Sequence, residues 1–151
     1  MESAFSDAAA SVLQRAGWQP GRSVDVPKSV VASLRADGHE VSDAARRFLG
    51  EFLGLHLTYP HAKARGTDDC LIDPVKATNG VSPEWLRDYE RRTGEPTLTP
   101  VGQAARGYLI LTVGDSGAMY AGYDDFLALV GKSGTEGLEA LVTGMDLREI
   151  D

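Results

Sequence analysis

A chain of 151 residues with 42% apolar and 25% charged residues has the composition of an ordinary globular protein, long enough to bury about two-thirds of its unfolded surface in one core. No apolar run is long enough to cross a bilayer, and Glu2 and Asp7 stand where a signal peptide needs positive charge, so a cytoplasmic location is expected. The net charge of −7 argues against nucleic acid and anionic membranes as partners, and Cys70, the only cysteine, excludes an internal disulfide.

The first part of the chain reads as helices. Ala4 to Ala16 places Phe5, Ala9, Val12, Leu13 and Ala16 on one face, with Gly17 as the stop. Trp18 follows, and Gln19 to Arg22 makes a turn. A second helix opens near Pro27, buries Val30, Val31 and Leu34, and ends at Gly38. Ser42 caps a third, whose apolar face is Ala45, Phe48, Leu49, Phe52 and Leu53 and which Gly54 closes.

The period then changes from 3.6 to 2. Leu55, Leu57 and Tyr59 alternate with His56 and Thr58 as a strand that Pro60 ends. His61 to Asp69 reads as a loop or hairpin connection, and Leu71 to Val75 as a short strand that Pro74 pushes to a sheet edge. Ser82-Pro83-Glu84 starts a helix running through Trp85, Leu86 and Tyr89 to Gly94. Thr97 to Val101 reads as a further strand, and Thr135 to Thr143 as a closing helix over Leu138, Leu141 and Val142. The expectation is one α+β domain over residues 1–151, with a central, mostly antiparallel sheet flanked by helices.

Gly107 to Tyr123 is the most informative segment. Tyr108, Ile110 and Thr112 alternate with Leu109, Leu111 and Val113, so the first strand is apolar on both faces and belongs inside the sheet. Gly114-Asp115-Ser116-Gly117 supplies a turn able to take positive φ, and Ala118 to Tyr123 returns. The same four residues form the string around the nucleophile of trypsin-like proteases, but the chain is too short for two barrels and His39, His56 and His61 offer no triad partner.

Other chemistry is equally thin. His56 and His61, with Asp68, Asp69, Cys70 and Asp73 nearby, lack the spacing of a metal-ligand set, and Cys70 reads as a small apolar filler. No glycine-rich string marks a phosphate loop, and Arg46-Arg47 and Arg91-Arg92 are isolated basic pairs. No catalytic residue, cofactor or metal is assigned.

The charge is unevenly spread. Residues 107–151 carry Asp115, Asp124, Asp125, Glu136, Glu139, Asp146, Glu149 and Asp151 against Lys132 and Arg148, a balance of −6. Such a surface steers a basic partner inward; a merely solvated acidic face is the other reading.

Three pieces, Leu13 to Arg22, Phe48 to Leu55, and Pro100 to Gly102 followed by the 107–123 hairpin and Phe126 to Gly131, resemble in order and spacing the third immunity group of the SUKH superfamily. The resemblance spans about Leu13 to Gly144. It implies a single α+β domain that binds and neutralises a cognate bacterial polymorphic or contact-dependent toxin, a nuclease or another nucleic-acid-directed enzyme, without catalysis of its own; a monomer or weak dimer is expected. Gly17, Gly21, Gly54, Gly102, Gly117 and Gly131 then mark turns and element ends, Trp18 plugs the seam between first helix and sheet, and Arg22 clamps a buried carboxylate or carbonyl, with ligand binding as its other reading. A basic toxin suggests Asp115, Asp124, Asp125, Glu136 and Glu139 as a mimic of its polyanionic substrate, with Tyr120 and Tyr123, if exposed, as anchors. A regulatory or scaffold adaptor of the same fold, or a small hydrolase using His56, His61 and the neighbouring acids, are the alternatives.

Overall fold

Local signals fix the helices before any packing is considered. The computed structural model of the chain describes residues 5–61 and 63–151. Its first helix, α1 (Asp7–Arg15), begins when the Ser6 hydroxyl accepts from Ala9 N (3.2 Å); the expected start at Ala4 lies outside the described residues. After α2 (Lys28–Ala36), α3 (Asp43–Phe52) is capped by the Ser42 hydroxyl, which accepts from Ala45 N at 3.1 Å, as the sequence predicts. It buries Ala45, Phe48, Leu49 and Phe52. Arg22 finishes this helix: Nη1 donates to Glu51 O (2.5 Å) and Nη2 to Leu53 O (2.9 Å), satisfying carbonyls that a helix end leaves open.

Among the described residues the chain then makes seven strands: β1 (His56–Pro60), β2 (Thr67–Leu71), β3 (Leu98–Ala104), β4 (Leu109–Gly114), β5 (Met119–Tyr123), β6 (Phe126–Gly131) and β7 (Arg148–Glu149). They form one sheet in strict chain order, every pair antiparallel. Between them lie α4 (Pro74–Asn79), α5 (Pro83–Thr93) and α6 (Gly134–Thr143). The fold is α+β, a single domain with a central antiparallel sheet flanked by helices.

β4 occupies the middle of the sheet and its residues divide between two cores. Leu111 and Val113 join the larger one, built with α1, α3 and α6, while Ile110 joins the smaller one, under α4 and α5 with Leu86, Tyr89, Tyr120 and Leu127. The apolar residues on both faces of this strand therefore have helices on both sides to meet them. Two glycines let helices press directly on the sheet. A Cβ at Gly122 would fall 2.5 Å from the Tyr89 ring, and one at Gly131 would fall 2.4 Å from Gly137 N, where α6 presses on β6.

Several expectations need correction. Leu71 to Val75 is not a strand: β2 ends at Leu71, and Asp73 caps α4, its carboxylate accepting from Lys76 N at 3.1 Å with Pro74 in the first turn. Asp-Pro after an apolar pair satisfies a strand end and a helix start equally, and the cap decides. The loop from His61 is a hairpin connection that gives way to β2 at Thr67, two residues before its expected end. Gly102 marks no turn. It lies inside β3 at a bulge, where a Cβ would fall 2.3 Å from Leu71 O. Gly131 ends β6, Gly17, Gly21 and Gly54 take positive φ in their connections, and in the 114–117 turn only Gly117 does. Trp18 lies edge-on to Phe5 (5.2 Å between ring centres) and donates Nε1–H to Glu51 at 3.0 Å, so it joins α1 to α3 within the core. β6 and β7 continue the sheet beyond the expected strands, and β7 follows the helix expected to close the domain.

Candidate partner-binding surface

The turn between β5 and β6 is the tightest on the sheet. Tyr123 pairs with Phe126, leaving only Asp124 and Asp125 as the loop. Two-residue hairpin loops need positive φ and favour glycine, yet Asp124 holds φ 52. Aspartate tolerates this region better than most residues but still stores strain there. The turn is held from below by α5. The Tyr89 hydroxyl donates to Asp124 O at 2.5 Å, and burial pushes that phenol's pKa up to about 12, keeping it a donor. Arg92 donates to Asp125 O (2.9 Å) and Ile150 O (2.7 Å) while pairing with Asp88 (3.0 Å).

What this anchored turn presents outward is aromatic and acidic. Tyr123 is 52% exposed and packs edge-on against Trp85, ring centres 6.0 Å apart. Both carboxylates are exposed. The connection from β3 to β4 emerges at the same end of the sheet, because the pairing of Ile110 with Gly122 brings Tyr108 level with the turn. Tyr108 is 69% exposed. Ala105 and Arg106 in that connection also hold positive φ (52 and 58), so all three such non-glycine residues among the described residues gather at one end. Aromatic side chains held outward on an over-determined, strained backbone are what a binding surface needs, since little freedom is then lost on association.

The acids named from the sequence do not gather there as a set. Asp115 lies on the β4–β5 turn, at the far end of β5, because a five-residue strand puts about 17 Å between its ends. Glu139 is tied up: its carboxylate accepts from Ser6 N (2.7 Å) and the Ser6 hydroxyl (2.8 Å), at the positive end of α1. Glu136 sits in the first turn of α6. Of the seven residues, Tyr123, Asp124 and Asp125 lie together on the β5–β6 turn. Tyr120, conditionally an anchor, is 7% exposed and lies in the smaller core. Its hydroxyl donates to Glu95 at 2.8 Å, and burial, reinforced by that bond and that charge, raises its pKa well above the ordinary phenol value.

Glu95 is the residue the sequence hid. It is 8% exposed and accepts from Ser116 N (3.0 Å), the Ser116 hydroxyl (2.5 Å) and Tyr120. The carboxylate thus organises the Gly-Asp-Ser-Gly turn, and a Cβ at Gly114 would fall 2.3 Å from it. The serine that resembles a nucleophile is a turn donor. No periodic pattern marks a lone glutamate between Gly94 and Pro96. Trp85 and Tyr108 are equally quiet in the sequence, one within a helix and the other in the alternation of an interior strand.

Remaining reactive groups are separately occupied. His56 Nε2 lies 2.8 Å from Asp69, an exposed pair, and His61 Nδ1 accepts from the backbone N–H groups of Lys63 and Ala64. Cys70 is fully buried, and burial, followed by the charges of Asp69 and Asp68, raises its thiol pKa far above the usual range. Among the described residues no three His, Cys, Asp or Glu side chains are placed to hold a metal ion, and no helix is long and apolar enough to cross a membrane.

A family model described as SUKH-3 immunity protein matches residues 5–144. No curated protein and no solved structure matches the chain.

Proposed function

The chain belongs to the SUKH-3 immunity protein family, and from that premise we propose that it neutralises a cognate toxin by binding it, with no catalysis of its own. The observation that carries the surface assignment is the Trp85–Tyr123 pair seated beside the strained turn of Asp124 and Asp125. Tyr123 acts as the anchor, Trp85 stiffens it, and the two carboxylates form the rim that orients a cationic partner. The net charge of −7 adds a long-range field that speeds association with a basic protein. A nuclease, whose cleft is basic because its substrate is a polyanion, fits that field best. The protein works in the cytoplasm as a monomer or weak dimer.

Relative to the sequence expectation, the interface contracts from seven residues to three and gains Trp85 and Tyr108. Co-expression with the toxin domain encoded beside it tests the reading, with cell survival and co-purification scored together. Survival with a stoichiometric complex is the expected result. Death without a complex removes the antidote reading and leaves the adaptor.

A further inference from the structure

A second surface lies on the opposite side of the sheet from β7. β1 is the outermost strand, and among the described residues β2 is its only strand partner. In an antiparallel pair, alternate residues direct their N–H and C=O groups toward the neighbour. Ile72 N donates to Leu55 O (2.9 Å) and His61 N to Gly66 O (3.0 Å), in one register with the strand between them. Leu57 and Tyr59 therefore face β2 with their backbones, and His56 and Thr58 turn their N–H and C=O groups to the open edge. Pro60 offers that edge a carbonyl alone. Exposed edges are usually blunted by charge, bulge or cover; this one has a proline at its end.

A groove of about 450 Å³ runs between this edge and α1. Val12 and Ala16 form its apolar wall, His56 and Thr58 the opposite one, and Arg15 lies along it. The Arg15 side chain makes no hydrogen bond or ion pair among the described residues. Its charge complements the C-terminal end of its own helix, which explains its place but leaves its donors open.

We propose that the β1 edge takes an extended acidic segment of another protein as an eighth strand. The segment's backbone pairs with His56 and Thr58, an apolar side chain rests on Val12 and Ala16, and a carboxylate meets Arg15. The unpaired edge suits an extended chain, and the open guanidinium beside it is complementary to an acid. A second copy of this chain fits less well, since two β1 strands joined about a two-fold axis would bring both Arg15 side chains into one groove. The site stands independently of the Tyr123 turn.

The test is titration of a capped heptapeptide, alternating threonine and valine about one central glutamate, into isotope-labelled protein. Amide shifts should concentrate at His56, Thr58 and α1. Thr58→Pro removes only an outward N–H, and it should weaken binding at least about tenfold in a protein whose circular dichroism is unchanged. Arg15→Glu should abolish binding of the glutamate peptide and restore it for a peptide with lysine in that place, which keeps the test decisive if the proline variant does not fold. Absence of shifts at about 2 mM peptide, equal affinity for folded Thr58→Pro, or no charge-swap rescue overturns the proposal.

Discussion

The four strands β3 to β6 and the hairpin β1–β2 belong to one continuous sheet yet face different surroundings. In β3 to β6 both faces are apolar, and helices lie on both: α3 and α6 over Leu111, Val113 and Met119, α4 and α5 over Ile110, Tyr120 and Leu127. In β1–β2 only one face is apolar. Leu57, Tyr59 and Cys70 enter the larger core, while His56, Thr58 and Thr67 look out to solvent. The closed half supplies stability and holds the strained turn at its end; the open wing supplies edge and surface. A strand that alternates cleanly is covered once, and a strand that does not alternate is covered twice.

That division can be broken most violently in the closed half. Gly131→Val puts a side chain where α6 backbone approaches β6, and chemical denaturation should show a loss of about 3 kcal/mol. Its counterpart in the wing, His56→Ala, removes an exposed contact with Asp69 and should shift stability by under about 0.5 kcal/mol. Comparable losses from the two would erase the distinction.

Glu95→Gln comes next. It removes the charge that three donors address in the closed half, and a loss of about 2 kcal/mol is expected in urea unfolding. Wild-type stability in this variant would mean that the 114–117 turn stands without its buried carboxylate.

Asp124→Gly has the opposite sign. Relief of positive φ should raise stability by about 1 kcal/mol while weakening toxin binding, the pattern of strain retained for function. A gain in stability without any loss of affinity would detach the turn from binding.

The gentlest probe is pH. Burial lowers the pKa of His39 below its ordinary 6.5, with Asp37 and Glu90 opposing that shift. The unfolded chain therefore takes up this proton first, so His39's contribution to stability is whole above pH 6.5 and drains away as pH falls toward the folded value. His39→Gln should flatten the stability profile over that window; an unchanged slope would place its origin elsewhere.

Much of this architecture is legible in the chain. Ser42 and its apolar stripe specify α3, the 107–123 alternation specifies a central strand and its return, and Arg22 does clamp carbonyls. α4 was not legible because Asp73-Pro74 ends a strand as plausibly as it caps a helix. Tyr120 and Tyr123 could not be told apart, since a strand covered on both faces buries either parity and only the chain's exit into the turn exposes Tyr123. The acids misled for a topological reason: Asp115 and Asp124 are neighbours in sequence, but one strand lies between them and puts them at opposite ends.

The most direct test is the affinity of wild type and Tyr123→Ala for the cognate toxin domain, measured over a salt series with Tyr120→Phe as the buried control. The account predicts that Tyr123→Ala keeps its fold and binds about 100-fold more weakly, while Tyr120→Phe binds as wild type does. Equal affinity of Tyr123→Ala and wild type would contradict it and move the interface away from this turn.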